Sequence, residues 1–204
     1  MCAIFGSIGV ANLKLIKEIS QKQIYRGPDE QDFYVSEDNL VCLGNNRLSV
    51  IDKEKGKQPM HSLNKRFIIV FNGCIYNFLE IQKYLKKKGV NFFTNSDTEV
   101  LLNAYIYFGK KAFNYFDGMW AVAIYDKDKK DVILSRDYVG QKPLYYSKGS
   151  NYYLFSSQLN GLTLDEKISK KYLEIILKNF FHTLLYQPHK LFLRIFFKWK
   201  LAKI

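Results

Sequence analysis

Between residues 119 and 156 the chain runs through four short β-rich segments, 119–125, 132–135, 144–147 and 152–156, separated only by Asp/Lys, Gly/Pro and Lys/Gly/Ser clusters. Connections this short cannot join parallel neighbours, which need a crossover of a dozen or more residues. The segment therefore predicts an antiparallel meander and argues against a fold built from alternating βαβ units.

The rest of the chain fits the same class. Residues 3–8 form an apolar run ending at Gly9, a strand, and residues 13–23 place Leu13, Ile16 and Ile24 near helical spacing. Arg26-Gly27-Pro28-Asp29 is a loop by composition, and residues 33–35 and 40–43 form a hairpin. Residues 66–71 (RFIIVF) make a buried strand that is expected to stop in a sharp turn at Asn72-Gly73, before a helix over 78–88. Ser96-Asp97-Thr98-Glu99 has the form of a capping box, with Val100, Leu101, Ala104 and Tyr105 as the apolar stripe behind it. Seven or eight strands and three or four helices follow, often strand after strand, which is α+β. No Gly-rich phosphate loop follows any strand.

A chain of 204 residues with 48% hydrophobic content supports one full core, hardly two. The net charge of +12 is uneven: residues 1–162 hold 22 basic and 16 acidic side chains, residues 163–204 hold 9 and 3. With only +6 on the main body and no recognition motif, nucleic-acid binding is not expected. Three cysteines, Cys2, Cys42 and Cys74, without C-x-x-C spacing cannot build a disulfide framework, which favours a reduced, cytoplasmic compartment. His61, His182 and His189 show no ligand spacing with them, so no metal is expected. The start lacks a signal peptide, and no stretch approaches the length of a membrane span.

Cys2 is the candidate nucleophile. Removal of Met1 would give it a free α-amino group beside its thiol, and an α-amine titrates near about 7.7–8.0, close enough to working pH to serve as the thiol's own general base. The bland reading is a small cysteine packed at the edge of a strand.

Eight motifs occur in order: MCAIFGSIG, YRGPDE, NNRLSVID, FNGCIYN, SDTEVLLNAY, FDGMWAVAIYD, LSRDYVGQKPLYY and FSSQLNGL. Together they resemble the class II glutamine amidotransferase domain of glutamine-hydrolysing asparagine synthetase, over residues 2–162. The resemblance implies an N-terminal-nucleophile fold, an αββα sandwich of two stacked antiparallel sheets between helical layers. It also implies that Cys2 attacks the side-chain amide of glutamine to form a glutamyl thioester, releasing ammonia and then glutamate. The oxyanion would be held by the Asn72 side-chain amide and the Gly73 backbone N–H; losing one such donor costs about 10²–10³ in rate. Arg47 matches the carboxylate-binding arginine, Asp97 the acid that holds the α-ammonium, and Ile51 a position whose carbonyl faces the substrate. Arg136, Asp137, Gly140, Lys142 and Pro143 match a segment facing the synthetase domain and the ammonia path.

The chain departs from the family at three places. Cys74 stands where a glutamate would help hold the substrate ammonium, so one of two negative partners is missing; a charge-assisted hydrogen bond is worth about 1.5–3 kcal/mol, which corresponds to binding weakened by about one to two orders of magnitude. Tyr25 and Asn45 stand where histidines are common.

The synthetase domain's S-G-G-x-D-S loop does not occur in these residues. The glutaminase half needs no cofactor, and ATP and Mg would enter only with a separate synthetase domain. Residues 163–204 are expected to be a basic apolar tail, a truncated or altered start of the linker to that domain. Lys190, Arg194 and Lys198 recur there at i, i+4 amid apolar residues, but Lys200 and Lys203 fall off the polar face, so a membrane-surface helix is the lesser reading. The expected partners are glutamine and a synthetase domain or subunit, with a homodimer left open. Two alternatives stay open: another ammonia acceptor, such as a sugar acid of a surface polysaccharide, or a non-catalytic product that keeps the fold.

Overall fold

The computed structural model describes residues 1–166 and 197–200. The strands are β1 (Ala3–Ile8), β2 (Glu30–Val35), β3 (Val41–Arg47), β4 (Met60–His61), β5 (Phe67–Ile75), β6 (Gly118–Asp126), β7 (Asp131–Arg136), β8 (Tyr145–Lys148), β9 (Tyr153–Ser156) and β10 (Phe197–Lys200). The helices are α1 (Leu13–Lys22), α2 (Phe78–Lys87), α3 (Asp97–Phe108) and the single turn α4 (Leu159–Leu162). The strands form two five-stranded antiparallel sheets, ordered β2-β3-β1-β9-β8 and β10-β7-β6-β5-β4.

Side-chain alternation sets the layers. On β1 and β5, Ile4, Ile8, Ile68 and Val70 join Val41, Leu43, Ala121, Ala123, Tyr125 and Phe155 in one buried cluster between the sheets. Their alternates face helices: Ala3 and Phe5 pack with Leu15, Ile16 and Ile19 of α1, and Ile69 and Phe71 pack with Leu85, Leu101 and Ala104 of α2 and α3. The result is helix, sheet, sheet, helix, the αββα arrangement the resemblance implies. Burial on both faces explains why RFIIVF is continuously apolar although its sheet is antiparallel.

Five readings need correction. The predicted meander is divided: β6 and β7 belong to one sheet and β8 and β9 to the other, the chain crossing through residues 137–144. Each hairpin is antiparallel, but the connection between them changes layers, which local composition does not encode. There are also ten strands among the described residues, because β4 has two residues and β10 lies in the tail.

Asn72-Gly73 is not a turn. β5 runs on to Ile75, pairing Asn72 with Ala121 and Gly73 with Trp120. Gly73 is required by crowding, not by backbone handedness: a Cβ there would stand 2.2 Å from the Met119 carbonyl oxygen and 2.7 Å from the Phe71 ring.

The capping box at α3 is half formed. Ser96 Oγ accepts the Glu99 N–H at 3.2 Å, but the Glu99 carboxylate accepts from the Phe93 and Thr94 N–H groups and the Thr94 hydroxyl, fixing the incoming loop instead of its own cap. In the tail, Phe197–Lys200 is extended and pairs with β7, so the lesser, helical reading fails at Lys198; Lys190 and Arg194 lie outside the described residues.

Candidate active site

The antiparallel pairing of β1 with β3 puts Ala3 opposite Asn46, so Cys2 at the start of one strand lies beside Arg47 at the end of the other. The end of β5 and the start of α3 close the same place from the second sheet. A cavity of about 260 Å³ results, lined by Met1, Cys2, Arg47, Ile51, Asn72, Gly73, Cys74 and Asp97, and also by Leu48, Gln58, Thr98, Met119 and Lys142. The seven residues read from the sequence as catalytic or substrate-binding therefore border one space, although they span 96 positions from Cys2 to Asp97. A wider depression of about 630 Å³ along the lysine-rich face of α1 is open to solvent and carries no nucleophile.

Cys2 is half-buried. Its Sγ accepts the Leu48 N–H at 3.4 Å, and its carbonyl oxygen accepts from Arg26 Nε at 3.1 Å. The other two thiols differ. Burial pushes Cys42, which faces α1, up to about 12, so it stays protonated and inert. Cys74 is also raised, by burial and then by the nearby Asp97, with Lys142 opposing.

Asn72 is 1% exposed, and its Nδ2 has no hydrogen-bond partner among the described residues. An orphaned donor in a protein interior costs free energy unless something completes it. Here the donor sits in the wall of a cavity that also contains a thiol.

Arg47 is 4% exposed with its fork engaged: Nη1 bonds Glu30 at 2.9 Å and the Lys53 carbonyl at 3.0 Å, while Nη2 bonds the Ile51 and Asp52 carbonyls at 3.1 and 2.7 Å. It thus clamps the loop after β3, and the Ile51 carbonyl is turned onto it. Asp52 anchors the same loop by accepting the Asn95 N–H at 2.7 Å, which holds its carboxyl below the usual range.

Asp97 is 4% exposed and accepts the Ile75 N–H at 3.1 Å; burial raises its carboxyl pKa, with that hydrogen bond and those of the helix start opposing. Of the two family positions read as histidine replacements, Asn45 is fully buried on β3, and Tyr25 is exposed with its hydroxyl on Gln158.

Sequence reasoning missed Gln58, Arg26 and the Leu48 backbone. Gln58 accepts the Phe71 N–H at 2.6 Å and donates to Thr98 at 3.2 Å, tying β5 to α3 behind the cavity; a lone glutamine before Pro59 gives no sequence signal. Arg26 was legible only as part of a loop.

A thiol, an unpaired amide donor, a buried carboxylate and buried cations around one small chamber suit acyl transfer from a small polar amide. The family model for the glutamine amidotransferase domain matches residues 1–199. This chain belongs to that family. Among relatives of this glutamine amidotransferase domain, asparagine synthetase [glutamine-hydrolyzing] 1 of Bacillus subtilis is 38% identical over 164 residues, covering 79% of this chain and 26% of the relative. A protein of Methanocaldococcus jannaschii named putative asparagine synthetase [glutamine-hydrolyzing] 2 is 37% identical over 191 residues, covering 84% and 36%. The domain thus spans about a quarter to a third of the relatives it matches. In fold it is similar to the glutamine phosphoribosylpyrophosphate amidotransferase of B. subtilis, with a TM-score of 0.69 at 18% identity over 80% of this chain and 43% of that one.

Among the described residues of this amidotransferase domain, no group of three or more His, Cys, Asp or Glu is arranged to hold a metal, and no helix is long and apolar enough to cross a membrane.

Proposed function

We propose that this domain hydrolyses glutamine to glutamate and ammonia through a thioester on Cys2, exposed as the N-terminal residue by removal of Met1. The α-amine takes the thiol proton and sulfur attacks the side-chain amide carbon. The oxyanion of the tetrahedral intermediate is received by Asn72 Nδ2 and the Gly73 N–H. The amine returns the proton to the amide nitrogen, the C–N bond breaks and ammonia leaves. Water then attacks the thioester, the amine again relaying its proton, and glutamate departs as the thiol is restored. Asp97 receives the α-ammonium, the α-carboxylate lies against the loop after β3 that Arg47 clamps with both of its Nη groups, and Cys74 borders the ammonium end.

The observation that carries this reading is the unpartnered Asn72 Nδ2 in a residue that lines the same cavity as Cys2. A donor aimed where charge develops costs no reorganisation when the reaction occurs. Trapping tests it: with hydroxylamine present, processed protein should convert glutamine to the γ-hydroxamate, and Cys2→Ala should not. Hydroxamate formed equally by the variant would exclude the thioester.

In this reading residues 2–162 form the glutaminase unit, and 163–204 lead toward a synthetase domain outside these residues that uses the ammonia for asparagine synthesis. ATP and Mg belong to that domain. The three free cysteines suit a reducing cytoplasm.

A further inference from the structure

We propose that Arg26 and Lys142 are positioning residues that hold the α-amine freed at Cys2 in its uncharged form, so that it accepts the thiol proton at neutral pH. The inference rests on the reading above, in which Met1 leaves and Cys2 becomes the N-terminal nucleophile.

Arg26 Nε donates to the Cys2 carbonyl oxygen at 3.1 Å. That carbonyl shares its Cα with the amine, so covalent lengths keep Arg26 Nε within about 6–7 Å of the amine nitrogen. Nη2 of the same guanidinium is buried without a partner, and Arg26 forms no ion pair among the described residues. Its charge is therefore not cancelled where it stands.

Lys142 borders the same cavity as Cys2. It is 7% exposed, and its Nζ lies 3.6 Å from Met1 Sδ, against the residue whose departure creates the amine. It too forms no ion pair among the described residues. Its loop is tightly held: the Asp137 carboxylate accepts the N–H groups of Trp120, Gln141 and Lys142 at 3.2, 2.8 and 3.0 Å, and Arg136 donates to the carbonyls of Gly140 and Lys142. The ammonium is presented by a rigid support.

The other charged groups in this region are each held by another partner. Arg47 of β3 is neutralised by Glu30 of β2, Asp29 is turned onto the Ser49 N–H at 2.7 Å, and Asp97 of α3 is bonded to the Ile75 N–H. Cys74 of β5 is kept protonated by its surroundings and carries no charge. A nearby cation disfavours a second positive charge, so an amine beside Arg26 in a cavity bordered by Lys142 gives up its proton more readily than a free one.

The test follows the amine itself in the Cys2→Ala chain with confirmed Met1 removal, where no thiol titrates beside it. Carbon-13 alanine labelling gives an N-terminal Cα signal whose pH midpoint should lie about one unit below the roughly 7.7–8.0 of an unperturbed α-amine. Adding Arg26→Gln or Lys142→Met should move the midpoint back up, while Arg26→Lys and Lys142→Arg should keep it low. A midpoint at or above about 7.7 in the chain that keeps both cations overturns the proposal without recourse to any further variant. So does a low midpoint that neither neutralising variant moves. A low, charge-dependent midpoint in a protein that releases no glutamate would uphold this inference while removing the glutaminase reading.

Discussion

Cys2 and Leu48 are tied sulfur to backbone: the Leu48 N–H donates to Cys2 Sγ at 3.4 Å, and the same sulfur lies 3.7 Å from the Leu48 carbonyl oxygen. The first residue of the loop after β3 therefore fixes the nucleophile. Arg47 holds the next part of that loop through three carbonyls, so binding and chemistry share one support.

Arg47→Lys should weaken both. A lysine ammonium cannot reproduce four bonds in a planar fork, and Glu30 would lose its partner. The expected result is a melting temperature lower by about 5–10 °C and a KM for glutamine raised at least about tenfold. An unchanged melting curve would mean that the loop is held by Asp52 alone.

Asn72 and Gly73 should separate chemistry from folding. Asn72→Ala removes a donor that bonds nothing in the resting protein, so kcat should fall by about 10²–10³ with little change in KM or melting temperature. Gly73→Ala forces a methyl against the Met119 carbonyl and the Phe71 ring, and should lose stability and activity together. Equal destabilisation by both substitutions would count against the oxyanion role.

Cys74→Glu should tighten glutamine binding. The position lines the cavity close to Asp97, and a second carboxylate there would add a charge-assisted bond to the substrate ammonium, lowering KM by about ten- to a hundredfold. Steady-state kinetics read this directly, and an unaltered KM would place the ammonium elsewhere.

Asp97 carries a pH signature. Burial raises its folded carboxyl above the unfolded value, so its favourable contribution is present below the ordinary carboxylate pKa and is lost as pH rises through the raised one. At pH 7.5 the ionised group is a burden that substrate binding offsets. Asp97→Asn should thus raise the melting temperature at pH 7.5, with the gain vanishing near about pH 4, while glutamine binding weakens. Thermal melts across pH would contradict this if the variant were less stable at neutral pH.

Periodicity exposed most of the architecture because each strand carries its own layer address: Ile68 and Val70 face one way, Ile69 and Phe71 the other. The change of sheet between β7 and β8 was illegible, since a loop of residues 137–144 looks the same whether it closes a hairpin or spans two layers. Asn72-Gly73 misled because the pair favours turns, whereas here glycine answers a close approach by the Met119 carbonyl, which only the tertiary structure reveals. For the site, ordered motifs marked residues whose side chains carry chemistry. Gln58, Arg26 and the Leu48 amide escaped because they act by holding backbone, a role that no residue type announces.

The most direct measurement is glutamate release from glutamine by the purified chain with Met1 removal confirmed by mass, beside Cys2→Ala prepared in the same way. The account predicts turnover in the first and none in the second. Folded, processed protein without turnover, or turnover that survives loss of the thiol, would contradict it.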